Sequence, residues 1–291
     1  MGPATIRACN EGEVAGKCIL FLWPAGNKLL KSRSATTTGR RTCRRSDTWW
    51  FHSVWSCLLL CYDSTVAAHP KRGRFITIEG LDGCGKSTQL EKLARALRET
   101  GTPVLVTREP GGTAIGEKIR DVLLNSATSG LSPQAELALM FASRAQHLRE
   151  VILPGLAEAK FVLCDRFTDS SEAYQGGGRR LGSEPILDLH RVLCGDIKPD
   201  LTILMDSDVS ASVERARRRN LALASGRRKD ENRFEKESRA FFERVRNKYL
   251  EIAEREPERV VVVNARRTRG VVHQEILTVV KRRFLGKAKT A

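Results

Sequence analysis

Aromatic residues make up only 6% of this 291-residue chain, and all four tryptophans (Trp23, Trp49, Trp50, Trp55) fall in its first 70 residues. So few aromatics leave no face of interleaved aromatic and basic side chains, which argues against a single-strand nucleic-acid platform despite a formal net charge of +16. Among the eight cysteines no pair has CxxC spacing, and Cys57 and Cys61 have no second ligand pair, so a zinc ribbon is not expected. Cys164 closes the apolar run Phe161-Val162-Leu163-Cys164, as a reduced, buried thiol would, and a cytoplasmic location follows as the expectation. No apolar run reaches the ~20 residues of a membrane helix; Val54 to Tyr62 covers about half of that. The first ten residues lack the charged-then-apolar order of a secretory signal, and no internal repeat is visible.

What is present divides into two unlike parts. In residues 1–70 apolar bursts such as Cys18 to Trp23 alternate with the basic pairs Arg40-Arg41 and Arg44-Arg45, and neither helical nor strand periodicity persists. This part is expected to be an atypical N-terminal extension, disordered or an over-extended translation start. A targeting presequence would suit its Arg-rich, acid-poor character but not its tryptophans and late apolar bursts, and a small accessory domain is the other alternative. No methionine occurs between Met1 and Met140, so a start nearer the orderly part requires another codon, and Val66 is the candidate. Residues 71–291 form the domain. Five strand-like runs, Phe75–Ile78, Val104–Val106, Phe161–Cys164, Leu201–Met205 and Val260–Val263, alternate with helix-length segments, which argues for a parallel sheet covered by helices.

The first run leads into Gly80-Leu81-Asp82-Gly83-Cys84-Gly85-Lys86-Ser87, a full GxxxxGK[ST] phosphate-binding loop, and Ser87-Thr88 opens a helical pattern. Glycines allow backbone N–H groups to approach phosphate oxygens that a Cβ would obstruct, and the helix N-terminus adds positive potential there. Lys86 is expected to reach the β- and γ-phosphates of a nucleoside triphosphate, and Ser87 to ligate Mg²⁺, with Asp82 as a further candidate ligand. Gly80 to Thr88 is thus the expected ATP-binding segment, with ATP as co-substrate and Mg²⁺ as cofactor.

Three further clusters follow later runs: Thr107-Arg108-Glu109-Pro110-Gly111-Gly112-Thr113, Phe141-Ala142-Ser143-Arg144-Ala145-Gln146, and Asp165-Arg166-Phe167-Thr168-Asp169-Ser170-Ser171 with Tyr174-Gln175-Gly176-Gly177-Gly178-Arg179 behind it. Arg108, Asp165 and Arg166 fall at the carboxyl ends of strands, where ligands of doubly wound sheets gather, and two guanidinium groups there suit a second phosphate. Taken singly, Phe141 is a core residue and each arginine a structural ion pair; their joint occurrence decides otherwise.

Together these segments resemble the bacterial type of the thymidylate kinase family, from about Arg74 to Leu285. The resemblance implies a P-loop nucleoside monophosphate kinase fold, an α/β architecture with a five-stranded parallel sheet wrapped by helices and a helical lid. It implies transfer of the γ-phosphate of Mg-ATP to dTMP, and a homodimer. Phe141 would stack on the thymine and Arg144 bond its edge. Arg108 and Arg166 would hold the acceptor phosphate, with Asp165 beside them, and Asp82 would position the sugar and metal. Tyr174 would crowd the sugar 2′ position, and Ser171 and Gln175 would complete the base pocket. The Glu109-Pro110 bond would be cis. The lid falls at about residues 215–235, where Arg227 and Arg228 are the expected catalytic arginines beside Lys86, Asp82 and Arg166. Asn264 stands where the pattern has Asp. A nucleoside kinase would need no arginine pair for an acceptor phosphate, and no stable nucleic-acid or membrane partner is expected. N-terminal sequencing of the native protein is expected to begin at position 66; a product beginning at Met1 would overturn the over-extended start.

Overall fold

The computed structural model describes residues 72–128, 130–224 and 233–286. The expectations for residues 1–70 and for Arg227 and Arg228 lie outside the described residues. Strands form where the apolar runs predict them: β1 (Arg74–Glu79), β2 (Val104–Arg108), β3 (Phe161–Asp165), β4 (Leu201–Asp206) and β5 (Val260–Asn264). They pair in parallel in the order β2-β3-β1-β4-β5. β1 and its neighbours β3 and β4 are buried along nearly their whole length, which is why their sequences are continuous apolar runs instead of alternating ones.

The helices that cover the sheet are α1 (Lys86–Glu99), α2 (Ala114–Leu124), α3 (Pro133–His147), α4 (Thr168–Ser171), α5 (Glu184–Cys194), α6 (Val209–Ala224), α7 (Arg239–Arg255) and α8 (Arg269–Val280). α3 runs on through a wide π-turn (Leu148–Ile152) into a last α-turn (Leu153–Ala157), and α4 through wide turns (Glu172–Gly178). Starts are written locally. Thr113 caps α2, Ser132 followed by Pro133 opens α3, and Ser238 caps α7, each hydroxyl accepting from a backbone N–H one turn ahead. On one side of the sheet Leu90, Leu93 and Leu97 of α1 and Val272, Ile276 and Val280 of α8 pack on β1, β3 and β4. On the other, Phe241, Val245, Tyr249 and Ile252 of α7 form a second core, and Phe141, Phe167 and Phe75 with the end of α3 a third.

Polar ties fix how the layers meet. Inside the sheet the Thr77 and Thr202 hydroxyls meet at 2.8 Å, and Thr202 also donates to Asp169 at 3.0 Å. Arg259, just ahead of β5, grips both oxygens of Asp169 at 2.7 and 2.9 Å. Asp200 accepts from the Phe75 amide at 2.7 Å and from Arg72 at 2.8 Å, so the start of the described domain is fastened to β4. All five strands end at one edge, with Arg108 opposite Asp165 and Asp206 opposite Asn264. The chain moves from β1 to one side of the sheet for β2 and β3 and to the other for β4 and β5, and the loop after β1 sits at that switch. Replacing Asp169 with Ala strips Arg259 and Thr202 of their shared acceptor; urea unfolding is expected to show a loss of about 3 kcal/mol.

Candidate functional site

The loop after β1 is a phosphate cradle. Gly80, Gly83 and Gly85 all have positive φ. At Gly83 (φ +81) a Cβ would lie 2.1 Å from the Ser212 carbonyl of α6, so only glycine lets the loop pack against that helix. Gly85 is the N-cap of α1 and supplies no side-chain cap, and no acidic residue occupies the first turn, so the first N–H groups of that helix face the cradle. Lys86 crosses the loop to the carbonyls of Gly80 (3.1 Å) and Leu81 (2.9 Å), with Asp82 3.6 Å away. Ser87 donates to Asp165 Oδ2 at 2.9 Å, while Asp165 Oδ1 is buried with no hydrogen-bond partner. An unpaired carboxylate oxygen beside a hydroxyl is what a Mg²⁺ bound chiefly by phosphates and water would use, since that ion takes one or two protein ligands. Among the described residues no three His, Cys, Asp or Glu side chains are grouped so that they could hold a metal ion by themselves.

Beside the cradle lies a cleft with about 710 Å³ of atom-free space, walled by Asp82, Glu109, Pro110, Arg144, Arg166, Tyr174 and neighbouring side chains. Arg166 stands just past β3 in the left-handed region (φ 74) and makes four hydrogen bonds there. Nη2 donates to Asp82 (2.8 Å) and Tyr174 (3.1 Å), and Nη1 to Ser170 and Tyr249 (both 3.0 Å). Burial alone would raise the Asp82 carboxyl, but the charges of Arg166 and Lys86 outweigh it and hold Asp82 well below the usual carboxylate range. Burial pushes the Tyr174 phenol up, so it stays a neutral donor to Asp82 at 3.2 Å.

The far wall is set by Arg144, which is 2% exposed. Its Nε donates to Glu109 Oε2 at 2.7 Å and its Nη2 to Ser171 at 2.9 Å, while Nη1 is buried with no partner. Glu109 precedes a cis Pro110 and also meets His147 at 2.9 Å. Burial would raise the Glu109 carboxyl, but Arg144 and the His147 hydrogen bond lower it overall. Below Tyr174 and Gln175, Glu136 is fully buried and gathers Gln175 (2.8 Å), Arg179 (3.1 Å) and Arg233 (2.8 Å).

A sequence model described as thymidylate kinase matches residues 78–276. The chain belongs to the thymidylate kinase family. A thymidylate kinase of Trichlorobacter lovleyi is 52% identical over 191 residues, which are 66% of this chain and 89% of that protein. One of Pseudomonas fluorescens is 49% identical over 208 residues, covering 72% of this chain and 95% of the relative. The crystal structure of a thymidylate kinase from Ehrlichia chaffeensis aligns with a TM-score of 0.57 at 33% identity, over 72% of this chain and 99% of that one. The P-loop kinase fold expected from the motifs is therefore the fold of this family member.

Within the thymidylate kinase scaffold, Asp82, Arg144, Arg166, Ser171, Tyr174 and Gln175 share the cleft wall. Three expected acceptor-site residues stand off it. Phe141 is fully buried, its ring 4.6 Å beneath the Arg144 guanidinium, because α3 turns that position into the core; Phe167 and Met140 face the cleft instead. Arg108 pairs with Glu117 at 2.9 Å and is half exposed, and Asp165 serves Ser87. Within the expected lid, where Arg227 and Arg228 are the favoured arginines, the structure puts Arg219 on the cleft wall with its charge acting on Asp82, and Arg215 donates to the Gly83 carbonyl at 2.9 Å. Their four-residue spacing on a helix was the available signal. Phe234 of the same segment, to which no site role was attached, lines the cleft edge-on to Tyr174 at 5.6 Å. Replacing Glu109 with Ala leaves the Arg144 charge buried without its main acceptor; a loss of about 3–5 kcal/mol in denaturant unfolding is expected.

Proposed function

We propose that this thymidylate kinase family member phosphorylates dTMP to dTDP with ATP, and that the cleft beside the cradle is where the acceptor nucleotide lies. The observation that carries this reading is the buried Arg144 Nη1 without a partner. It is a donor aimed where a base edge must offer an acceptor. Thymine presents a carbonyl oxygen at that edge and cytosine an amino group, so the same donor that holds thymine rejects cytosine. The apolar cleft residues Pro110, Leu124, Met140 and Phe167 suit the thymine methyl. Phe141 acts from beneath, by fixing Arg144. Tyr174, held by Arg166 and Asp82, stands where a sugar would reach, in keeping with selection of deoxyribose.

The chemistry follows from charge. A phosphate monoester has its second pKa near ~6, so at neutral pH the acceptor is mostly dianionic and needs no general base. The protein has to hold two anions in line and answer the charge that develops between them. Arg166 holds the acceptor phosphate, and Arg108 at the neighbouring strand end joins it on exchanging Glu117 for a phosphate oxygen. Lys86 and the first N–H groups of α1 hold the donor phosphates, with Arg219 on the cleft side and Arg227 and Arg228 further along the same segment. Ser87 and Asp165, with Asp82 near, would hold Mg²⁺, which when bound neutralises β- and γ-phosphate charge. A homodimer acting in the cytoplasm completes the reading; among the described residues no helix is long and apolar enough to cross a membrane.

Coupled ADP release from Mg-ATP, with dTMP, dUMP, dCMP, dGMP and thymidine as separate acceptors, tests the reading. dTMP is expected to lead, and dUMP to follow with kcat/KM lower by about 10-fold for its missing methyl. Arg144→Ala is expected to erase discrimination against dCMP. Lys86→Ala and Arg166→Ala are each expected to lower kcat by about 100-fold or more. Turnover of thymidine but not dTMP would overturn the assignment.

A further inference from the structure

Glu79 is the last residue of β1, immediately before the phosphate loop, and is fully buried. Its Oε1 accepts from the Phe167 amide at 2.7 Å. Its Oε2 accepts from the Ser170 hydroxyl at 2.5 Å and the Tyr249 hydroxyl at 2.9 Å. Each hydroxyl has one hydrogen, and both oxygens also lie 3.0 Å from Arg166 Nη1, which can only donate. The pattern closes when both hydroxyls give their hydrogens to Glu79 and turn lone pairs to Arg166. That requires Glu79 as an anion.

We propose that Glu79 is a positioning residue for phosphoryl transfer, whose ionised carboxylate orients the Ser170 and Tyr249 hydroxyls so that they hold Arg166 in place for the acceptor phosphate. A proton on Glu79 removes the negative charge behind Arg166. It also makes one hydroxyl accept where it had donated, and that hydroxyl's hydrogen turns toward its neighbour 2.8 Å away. The groups facing Glu79 are Asp169 from α4, Arg166 and Cys164 at the end of β3, and Tyr249 from α7, with Tyr174 and Asp82 beyond Arg166. Burial and then Asp169 raise its carboxyl to about 7, against the opposing pull of Arg166 and of the hydrogen bonds from Ser170 and Phe167. Glu79 therefore gains its charge as pH rises through neutrality, and the hold on Arg166 tightens in the same interval.

This role rests on Arg166 as the acceptor-phosphate arginine. The test is kcat/KM for dTMP at saturating Mg-ATP, from about pH 6 to pH 8, in the wild type and in Glu79→Gln. Titration of dTMP itself occurs in both proteins and cancels in their ratio. The wild-type-to-variant ratio is expected to stay within about two-fold at the acid end and climb to about 10-fold at the alkaline end. A ratio constant with pH would overturn the proposal, since a merely structural carboxylate costs the same at every pH. Tyr249→Phe keeps the ring packing and removes one hydroxyl. It is expected to raise KM for dTMP several-fold, to leave KM for ATP unchanged, and to shrink the pH step; an undiminished step would also overturn the proposal. If Arg166→Ala itself leaves dTMP turnover intact, the reading of Arg166 fails; if it abolishes turnover while the ratio stays flat, only the role of Glu79 fails.

Discussion

One guanidinium, largely withdrawn from solvent where β3 ends, sets the terms for everything around it. Arg166 is 13% exposed, and a charge so far out of water has to be answered by fixed partners. The chain answers with Asp82 from the phosphate loop, Tyr174 and Ser170 from the helical turns after β3, and Tyr249 from α7, and Glu79 of β1 stands behind the two hydroxyls Ser170 and Tyr249. Its left-handed backbone places it in the cleft instead of along the strand. Four separate segments are thereby brought to one point, and the phosphate loop and the cleft share a carboxylate, Asp82, which meets both Lys86 and Arg166.

A second, similar arrangement operates on the other wall. Arg144 is fixed by Glu109, Ser171 and the Phe167 carbonyl, and is sandwiched by Phe141 and Phe167. Arg144 commits Nε and Nη2 to these partners and keeps Nη1 buried and unpaired. Specificity in such a site comes from a buried group that loses its partner when the wrong ligand enters, which costs more than any apolar misfit. The net charge of +16 does not come from these paired arginines, which their carboxylates neutralise; part of the excess lies in Arg215, Arg217, Arg218 and Arg219 of α6.

The parallel sheet makes both arrangements affordable in backbone terms. Because all strands end at one edge, short segments after β1, β2 and β3 meet without long loops, and Gly83 and Arg166, both at positive φ, lie there. The cores on either side of the sheet hold that edge rigid, and α7 contributes both to packing, through Phe241 and Val245, and to the site, through Tyr249.

Much was legible in the residues alone. The five strands were, as short apolar runs that are continuous where β1, β3 and β4 are buried on both faces, and so was the phosphate loop, whose chemistry is local and contiguous. Arg144, Arg166 and Tyr174 came through the resemblance of short motifs. What no local pattern carried was which side chain faces which. Phe141 and Arg144 sit three apart on one helix, yet the first is core and the second is cleft wall, because α3 packs against Phe75 and Phe167. Glu79 reads as a polar strand end until Ser170 and Tyr249, 91 and 170 residues away, arrive on either side of it. The sequence by itself determined the elements and the phosphate loop, because backbone propensity and burial period act over a few residues. Only the tertiary structure decided the partners of each buried charge, because desolvation makes a charge's role depend on groups that the chain supplies from far away.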